Sequence, residues 1–170
     1  MFKILFSSFT LFFLLGCSPK HPPLPTVEQV DLKQYAGTWY EIARFEHFFE
    51  EGCKNVSATY SLKEDGTIKV INRCEMIEDG EKKEAQGVAY ATDASNSKLK
   101  VSFFRPFYGD YWVIDLASDY SHALVGAPDR EYLWILSRTK SIDIPTKERL
   151  LGTITSHGFD SSKLIWTIQE

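Results

Sequence analysis

Cysteine, histidine and long apolar runs are all scarce in this chain, and each scarcity excludes a class of protein. The 170 residues include three cysteines and four histidines. No histidine lies at metal-ligand spacing, and no serine, histidine and aspartate set is evident, so we expect no metal, no cofactor and no catalytic residue. The formal net charge is −4 without a basic cluster, which argues against nucleic acid as a partner. The apolar stretch 4–15 is shorter than the about 20 residues of a membrane-spanning helix.

The N-terminus has the features of an export signal. Lys3 precedes the apolar stretch, and residues 14–17 have the sequence Leu-Leu-Gly-Cys. A positive start, a short apolar region and a small residue before the cleavage point are typical of such signals. The four residues resemble the bacterial lipobox, which implies a signal peptide over 1–16 and a lipid anchor on Cys17. Because Ser18 follows the cysteine instead of aspartate, the resemblance implies the outer membrane, facing the periplasm; the alternative is an ordinary secretory signal with a chance cysteine.

Composition divides the exported part into a tether and one domain. Four prolines occur between residues 18 and 26, which predicts a stiff, extended tether over 17–29. Residues 30–170 are enough chain for a single domain with one core. Aromatic residues make up 14% of the chain. This proportion is high and calls for a structural or functional explanation.

Short alternating segments separated by turn residues fill the domain. They predict an all-β barrel or sandwich. The predicted strands are 39–45, 55–62, 67–74, 83–91, 98–103, 111–116, 122–126 and 132–137. Asp143 and Pro145 predict the start of a helix over 146–156, with Gly158 as its terminator. Its single apolar stripe places the helix outside the sheet, and a short last strand follows at 164–168.

Two cysteines remain in the domain and are expected to pair. Cys53 and Cys74 flank a hairpin whose turn, residues 63–66, ends in Asp-Gly. Folding back at this turn brings the two cysteines close together, about two residues out of register, as diagonal neighbours or across one bulge. In an exported chain an even pair favours a disulfide. Two free buried thiols are the alternative.

Three short motifs, in order, resemble those of the lipocalin family. Residues 37–39 (Gly-Thr-Trp) resemble the first motif, Gly-x-Trp. Residues 118–120 (Ser-Asp-Tyr) resemble the second motif, Thr-Asp-Tyr, with serine in place of threonine. Residues 136–138 (Leu-Ser-Arg) resemble the third motif, in which an arginine ends the eighth strand. The resemblance covers about 30–170 and is strongest to bacterial outer-membrane members, then to the apolipoprotein D type. It implies an eight-stranded antiparallel up-and-down β-barrel, with the C-terminal helix packed outside and a short final strand. The motif residues are Gly37, Trp39, Asp119, Tyr120 and Arg138.

The motif residues are expected to close one end of the barrel, and other residues are expected to contact the ligand. Arg138 can lie over Trp39, an attraction of about 0.5–2 kcal/mol, and donate hydrogen bonds to carbonyls at the barrel floor. Gly37 permits a tight start to the first strand. The alternative is that the Arg138 guanidinium binds an acidic ligand.

Ligand-facing residues are expected on the interior faces of the open half. The resemblance to the apolipoprotein D branch implies Tyr60, Asn72 and Trp134, and alternation puts them on interior faces; packing without a ligand is the alternative. An interior amide such as Asn72 needs a partner, or it costs about 1–3 kcal/mol. Small residues leave room for a ligand, namely Ala58, Gly87 and Ala89. The other predicted ligand-binding residues are Val56, Ala58, Val70, Val101 and Phe103.

Two features of the open half stay unresolved at the level of sequence. In the sixth strand, hydrophobicity favours an inward Trp112, whereas the resemblance favours an inward Tyr111. The aromatic run 103–109 is expected at the barrel rim, where aromatics suit an interface with lipid or a second subunit. A locally packed loop is the alternative.

We therefore expect a non-enzymatic lipid-binding module beside the outer membrane. Its ligand would be a fatty acid or lysophospholipid, held for storage, transport or envelope maintenance. One alternative is a lipocalin-fold enzyme of isomerase or epoxide chemistry, which needs a reactive thiol or a paired acid inside the barrel. Another is a structural envelope lipoprotein with a filled barrel. Resemblance to the bacterial members suggests a homodimer, which the residues themselves do not determine.

Overall fold

The structure, a computed structural model, describes residues 21–170, so the predicted signal peptide and lipidated Cys17 lie outside the described residues. Strands neighbouring in sequence pair antiparallel from β1 to β8, and β8 returns to β1, which closes the barrel. The predicted up-and-down barrel is confirmed, and a ninth strand pairs with β1. The strands are β1 (Gly37–Phe45), β2 (Cys53–Leu62), β3 (Ile68–Met76), β4 (Lys82–Ala91), β5 (Lys98–Phe104), β6 (Phe107–Leu116), β7 (His122–Gly126), β8 (Leu133–Ser137) and β9 (Leu164–Trp166).

Residues 21–170 also contain two α-helices and two single turns of 3-10 helix. The predicted helix is α2, Ile144–Ser156, and the Asp143 side chain caps it by accepting a hydrogen bond from the Thr146 N–H at 2.9 Å. A short helix that the sequence pattern did not predict, α1 (Leu32–Tyr35), precedes β1. The 3-10 turns are Phe48–Glu50 and Ser161–Lys163.

The apolar residues divide into an inner and an outer core. The inner core fills the closed end of the barrel around Trp39, which is fully buried. The outer core lies between the barrel wall and α2, where Leu150 and Ile154 are fully buried against β1, β7 and β8. The helix therefore covers the outside of the barrel and leaves the interior of the open half to other residues.

The N-terminal segment, for which a stiff, extended tether was predicted, lies against the barrel from residue 21 onward. Within residues 21–29, Leu24 is 4% exposed, and the Val27 N–H donates to the Val113 carbonyl at 3.0 Å. Arg130 Nη2 donates to the Pro22 carbonyl at 2.9 Å. The prolines favour extended backbone, and this backbone lies along the barrel, where the Leu24 side chain between Pro23 and Pro25 is buried.

The Cys53–Cys74 disulfide is confirmed. Cys53 lies opposite Met76 in the β2–β3 ladder, so Cys74 is its diagonal neighbour, with a Cα–Cα distance of 5.6 Å. The ladder shifts register just after Lys54, so a bulge follows the crosslink directly. The bond therefore connects β2 and β3 at a point where their hydrogen-bonded pairing is interrupted.

Candidate ligand-binding site

The barrel encloses a cavity of about 530 Å³. Ligand pockets in proteins typically measure about 300–1,000 Å³ and are mostly apolar. The eight residues predicted to face a ligand all contribute to the cavity wall, because alternation points them inward from β2, β3, β5 and β8. They are Val56, Ala58, Tyr60, Val70, Asn72, Val101, Phe103 and Trp134.

The three small residues contribute differently to this space. Ala58 and Ala89 line the cavity as expected. A Cβ on Gly87, however, would lie 2.9 Å from the Phe103 ring and 2.8 Å from the Ser102 carbonyl oxygen. Gly87 therefore makes room for the Phe103 ring at the cavity mouth, and it adds no space for a ligand.

The sixth strand turns Tyr111 into the barrel and Trp112 out of it. Tyr111 lines the cavity, whereas Trp112 packs with the outer core and lies under the Lys98 ammonium at 4.7 Å. Ile114, on the same face of the strand as Trp112, also packs in the outer core. Hydrophobicity favoured the wrong face because α2 covers the outer face and makes it as apolar as the inner one.

Three tyrosine hydroxyls form a hydrogen-bonded chain at the bottom of the cavity. Tyr111 Oη lies 2.8 Å from Tyr35 Oη and 2.9 Å from Tyr60 Oη. Burial raises the pKa of each of these hydroxyls, so all three stay neutral. Because its hydroxyl already has a partner, Tyr60 presents its ring to the cavity as an apolar surface.

A buried ionic cluster forms one side of the cavity, and the sequence reasoning missed it. Glu41 and Arg44 are 2% and 4% exposed, and Arg44 Nη1 lies 3.0 Å from Glu41 Oε1. Simple alternation would put these two residues on opposite faces, but a register shift between Glu41 and Ala43 brings them together. Arg44 Nη2 also donates to the Glu50 carbonyl oxygen at 2.8 Å, which fixes the 3-10 turn at the cavity mouth.

Glu50 and His47 complete this cluster as uncharged groups. Burial, and then the charge of Arg44, lowers the pKa of His47 from 6.5 to about 4. Burial, and then the neighbouring Glu41 carboxylate, raises the pKa of Glu50 from 4.5 to about 9. Two carboxyls thus face one guanidinium, and a proton on Glu50 leaves the cluster without net charge. Glu41 and Glu50 both line the cavity, so its wall presents a neutral carboxyl.

Replacing Glu50 with glutamine is expected to stabilise the protein increasingly as the pH rises. A carboxyl with a raised folded-state pKa costs nothing below its unfolded pKa, and it destabilises the fold progressively between about pH 4.5 and pH 9. Glutamine has nearly the same shape and cannot ionise. Thermal midpoints of both proteins across this range should therefore diverge in favour of Glu50→Gln.

The exposed neighbour Glu51 provides the matched control. Glu51→Gln makes the same substitution on an exposed side chain, so the pH-dependent gain of Glu50→Gln is measured relative to it. A constant difference for Glu50→Gln would mean that Glu50 is ionised throughout the range, and that the cluster is balanced in another way.

Two polar groups of the wall lack a partner within residues 21–170. Asn72 Oδ1 and Glu50 Oε2 are buried without a hydrogen bond, although Glu50 Oε2 lies 3.6 Å from both Arg44 Nε and His47 Nε2. A buried polar atom without a partner costs about 1–3 kcal/mol. Each of these atoms exposes less than 1 Å² of surface, so neither faces the open cavity, and the fold itself bears this cost.

The motif residues lie at the closed end, away from this cluster. The Arg138 guanidinium carbon is 3.9 Å from the Trp39 ring centroid, and Arg138 donates to the carbonyl oxygens of Thr38 at 2.8 Å and Gln34 at 2.7 Å. Gly37 has a φ of +97°, and a Cβ there would lie 3.3 Å from Arg138 Nη1. These contacts plug the barrel floor and leave Arg138 no contact with the cavity.

Asp119 and Tyr120, from the second motif, shape the loop next to this floor. The Asp119 Oδ1 accepts a hydrogen bond from the Ser121 N–H at 3.0 Å, and the Tyr120 hydroxyl accepts one from the Asp31 N–H at 2.9 Å. Tyr120 therefore links the β6–β7 turn to the start of α1. Both residues act on the closed end and not on the cavity.

Residues 21–170 also bear on metal binding, membrane spanning and free thiols. No group of three or more histidine, cysteine, aspartate or glutamate residues in this range could hold a metal ion. No helix of the same range has the length and apolarity needed to cross a membrane. The cysteines at 53 and 74 are bonded to each other, so neither offers a free thiol.

Comparison with known proteins gives consistent matches along the chain. A family model described as a lipocalin-like domain matches residues 30–169. The outer membrane lipoprotein Blc of Escherichia coli strain K12 is 50% identical over 161 residues, which are 93% of this chain and 91% of that protein. Mouse apolipoprotein D is 36% identical over 88% of this chain and 82% of its own length.

The fold has matches among solved structures as well. Insecticyanin from the tobacco hornworm Manduca sexta superposes with a TM-score of 0.70 at 26% identity, over 88% of this chain and 86% of that one. The family match includes all eight strands of the barrel and α2. Sequence and fold comparisons therefore agree on the same part of the chain.

Proposed function

Since this chain belongs to the lipocalin family, we propose that it is an outer-membrane lipoprotein whose barrel binds a fatty acid or lysophospholipid. Relatives at 42–50% identity are named outer membrane lipoproteins. We propose that Cys17 carries the lipid anchor and that the barrel faces the periplasm, as the lipobox and Ser18 imply. The protein would then hold a lipid for storage, transport or maintenance of the envelope.

The cavity is the observation that carries this proposal. A cavity of about 530 Å³ with a mostly apolar wall suits an acyl chain. Each methylene that is buried there contributes about 0.8 kcal/mol to the free energy of binding. A structural protein with a filled barrel does not explain a cavity of this size.

An enzyme is the second candidate, and one observation favours it. The paired acid that such chemistry needs is present, because Glu41 and Glu50 both line the cavity. Against this, Arg44 already binds Glu41 at 3.0 Å, and the relatives are named as lipoproteins and lipocalins. Glu50→Gln separates the two functions, because a binding protein should keep its affinity for an apolar acyl chain, whereas an enzyme that uses the pair should lose turnover.

Acyl ligands are expected to change the tryptophan fluorescence of the protein, mainly through Trp134. Of the four tryptophans, Trp134 lines the cavity, whereas Trp112 packs outside the barrel. Titration with a fatty acid or lysophospholipid should give a saturable signal that Trp134→Phe largely removes and the control Trp112→Phe retains.

Filling the cavity should weaken binding without unfolding the protein. Ala58→Phe places a ring in the cavity and should raise the dissociation constant tenfold or more, about 1.4 kcal/mol. Ser61→Phe adds the same ring to the exposed face of the same strand and should leave binding unchanged. If no acyl lipid gives saturable binding to the native protein, the proposal is wrong.

A further inference from the structure

Strands β1 and β2 pair with each other only in the closed half of the barrel. Their ladder begins with Gly37 opposite Tyr60 and stops with Tyr40 opposite Ser57. Beyond this point β1 continues over 41–45, about 17 Å at the usual rise per residue. Within residues 21–170, no ladder pair joins the two strands over that length. A seam between β1 and β2 therefore runs from the middle of the barrel to the cavity mouth.

The segment 167–170, which we call the strap, fills this seam. It follows β9, which pairs antiparallel with β1. The Thr167 N–H donates to the Ile42 carbonyl of β1 at 3.0 Å. On the other side, the Asn55 N–H of β2 donates to the Ile168 carbonyl at 2.8 Å. The strap is thus hydrogen-bonded to both strands and takes the place of a ladder between them.

Gln169 lies at the point where the ladder stops. Its Nε2 donates to the Glu41 carbonyl at 2.8 Å and to the Val56 carbonyl at 2.7 Å. Glu41 and Val56 are the residues that would form the next pair of the ladder. Among residues 21–170, both of them line the cavity and Gln169 does not. The Gln169 amide therefore closes the cavity wall from outside without contacting the space for a ligand.

Polar side-chain contacts hold the two ends of the strap. The Thr167 hydroxyl donates to Glu41 Oε1 at 2.5 Å, and Arg44 Nη1 lies 3.4 Å from the same hydroxyl oxygen. These bonds connect the strap to the buried ionic cluster. At the other end, Asn55 Oδ1 accepts a hydrogen bond from the Glu170 N–H at 2.7 Å.

An irregularity in β2 makes Asn55 available to the strap. The β2–β3 ladder shifts register between Lys54 and Ser57, and Asn55 has a φ of +52°, in the left-handed region that L-residues adopt at a cost. Its N–H donates to the strap instead of to β3. The backbone donor that β2 offers to the strap thus comes from a bulge and not from a regular ladder.

Little apolar packing holds the strap closed. Ile168 is 50% exposed, and Trp166, just before the strap, is 39% exposed. Gln169 Oε1 is buried without a hydrogen-bond partner among residues 21–170, which disfavours the closed state. Segments with few buried apolar contacts open locally at a lower free energy than the core. The strap can therefore open while the barrel stays folded.

We propose that the strap is a side gate of the cavity, and that its release opens a slot between β1 and β2 through which acyl ligands enter and leave. This inference rests on the proposed binding of an acyl lipid in the cavity. A flexible chain can enter a slot side-on along its length, whereas it must enter the mouth alone end-first. The Cys53–Cys74 bond holds β2 to β3 beside the slot, which confines the opening to the strap.

Binding kinetics of Gln169→Met test the gate. Methionine has nearly the length of glutamine but donates no hydrogen bond, so the closed state loses both bridges to β1 and β2. The probe is a dansyl-labelled fatty acid, mixed with the protein in a stopped-flow fluorimeter. Gln86→Met makes the same substitution on an exposed residue of β4, away from the seam, and is the matched control.

The association and release rates should both rise about tenfold in Gln169→Met, which corresponds to about 1.4 kcal/mol in the opening equilibrium. The dissociation constant should change much less, because a gate that is open more often speeds passage in both directions. Gln86→Met should behave as the native protein does. An unchanged association rate with faster release would mean that Gln169 only supports the wall, and it would overturn the proposal.

Hydrogen exchange of the native protein tests the opening without any substitution. Protection of the Asn55 and Thr167 amides, which donate across the seam, should be at least about 100-fold lower than that of Val113. The Val113 N–H donates to the Ser97 carbonyl at 2.8 Å, and Val113 is fully buried. Equal protection at all three amides would show that the strap opens only with the whole fold, and the gate would be refuted. A native protein that does not bind the probe would refute the proposed binding function instead, whatever the exchange of the strap.

Discussion

Trp39→Ala is expected to lower the free energy of unfolding by about 3–5 kcal/mol, the usual cost of removing a buried aromatic side chain. Trp39 is fully buried, its Nε1 donates to the Tyr35 carbonyl at 2.8 Å, and Arg138 lies 3.9 Å from its ring centroid. The substitution therefore removes core packing, a hydrogen bond and a cation–π contact at once. Urea unfolding followed by circular dichroism measures the loss.

A double-mutant cycle with Arg138→Ala isolates the contact between the two side chains. We expect a coupling energy of about 1–2 kcal/mol, because the pair is largely shielded from water. Lys147, whose ammonium lies 3.6 Å above the 39%-exposed ring of Trp166, forms a matched exposed pair. Its coupling should be smaller. Strictly additive losses for Trp39 and Arg138 would mean that their contact contributes nothing.

The parts of the cavity that alternation could predict are those where the strands are regular. Along β2 and β3 every second residue faces inward, so Ala58, Tyr60 and Val70 were placed correctly from sequence alone. Where α2 covers the outside, both faces of a strand are apolar. Hydrophobicity then carries no directional information, and so it could not choose between Tyr111 and Trp112.

The ionic cluster shows a second limit of the sequence pattern. Simple alternation puts Glu41 on the same face of β1 as Trp39. The interior position of the Glu41 carboxylate could therefore have been predicted from the sequence. Arg44 was not, because the register shift after Glu41 reverses its direction. Glu50 and His47 lie in a link whose 3-10 turn depends on the Arg44 hydrogen bond to the Glu50 carbonyl. A contact of that kind appears only in three dimensions.

The packing of the N-terminal segment on the barrel is a third feature that the sequence pattern does not contain. Its prolines correctly predicted extended backbone, but composition does not say whether an extended segment is free or packed. Leu24 and the Arg130 hydrogen bond to Pro22 decide this point.

Removing the disulfide is expected to destabilise the fold by about 3 kcal/mol. The crosslink joins cysteines 21 positions apart. Closing a loop of that length lowers the conformational entropy of the unfolded chain, which stabilises the folded state by about 3 kcal/mol. Cys53→Ala/Cys74→Ala should therefore lower the thermal midpoint by about 6–12 °C, as expected for a domain of this size. Differential scanning calorimetry measures the shift.

The position of the crosslink separates this loss from an effect on the cavity. The ladder between β2 and β3 shifts register just beyond Lys54, but regular pairing from Ser57 onward keeps Ala58 opposite Asn72. The cavity wall should therefore survive reduction, and acyl-ligand affinity below the new midpoint should change little. Reductant should lower the midpoint of the native protein to that of the double variant and leave the variant itself unchanged. If reductant lowers both midpoints equally, the loss does not come from this bond, and loop closure between Cys53 and Cys74 is not what stabilises the hairpin.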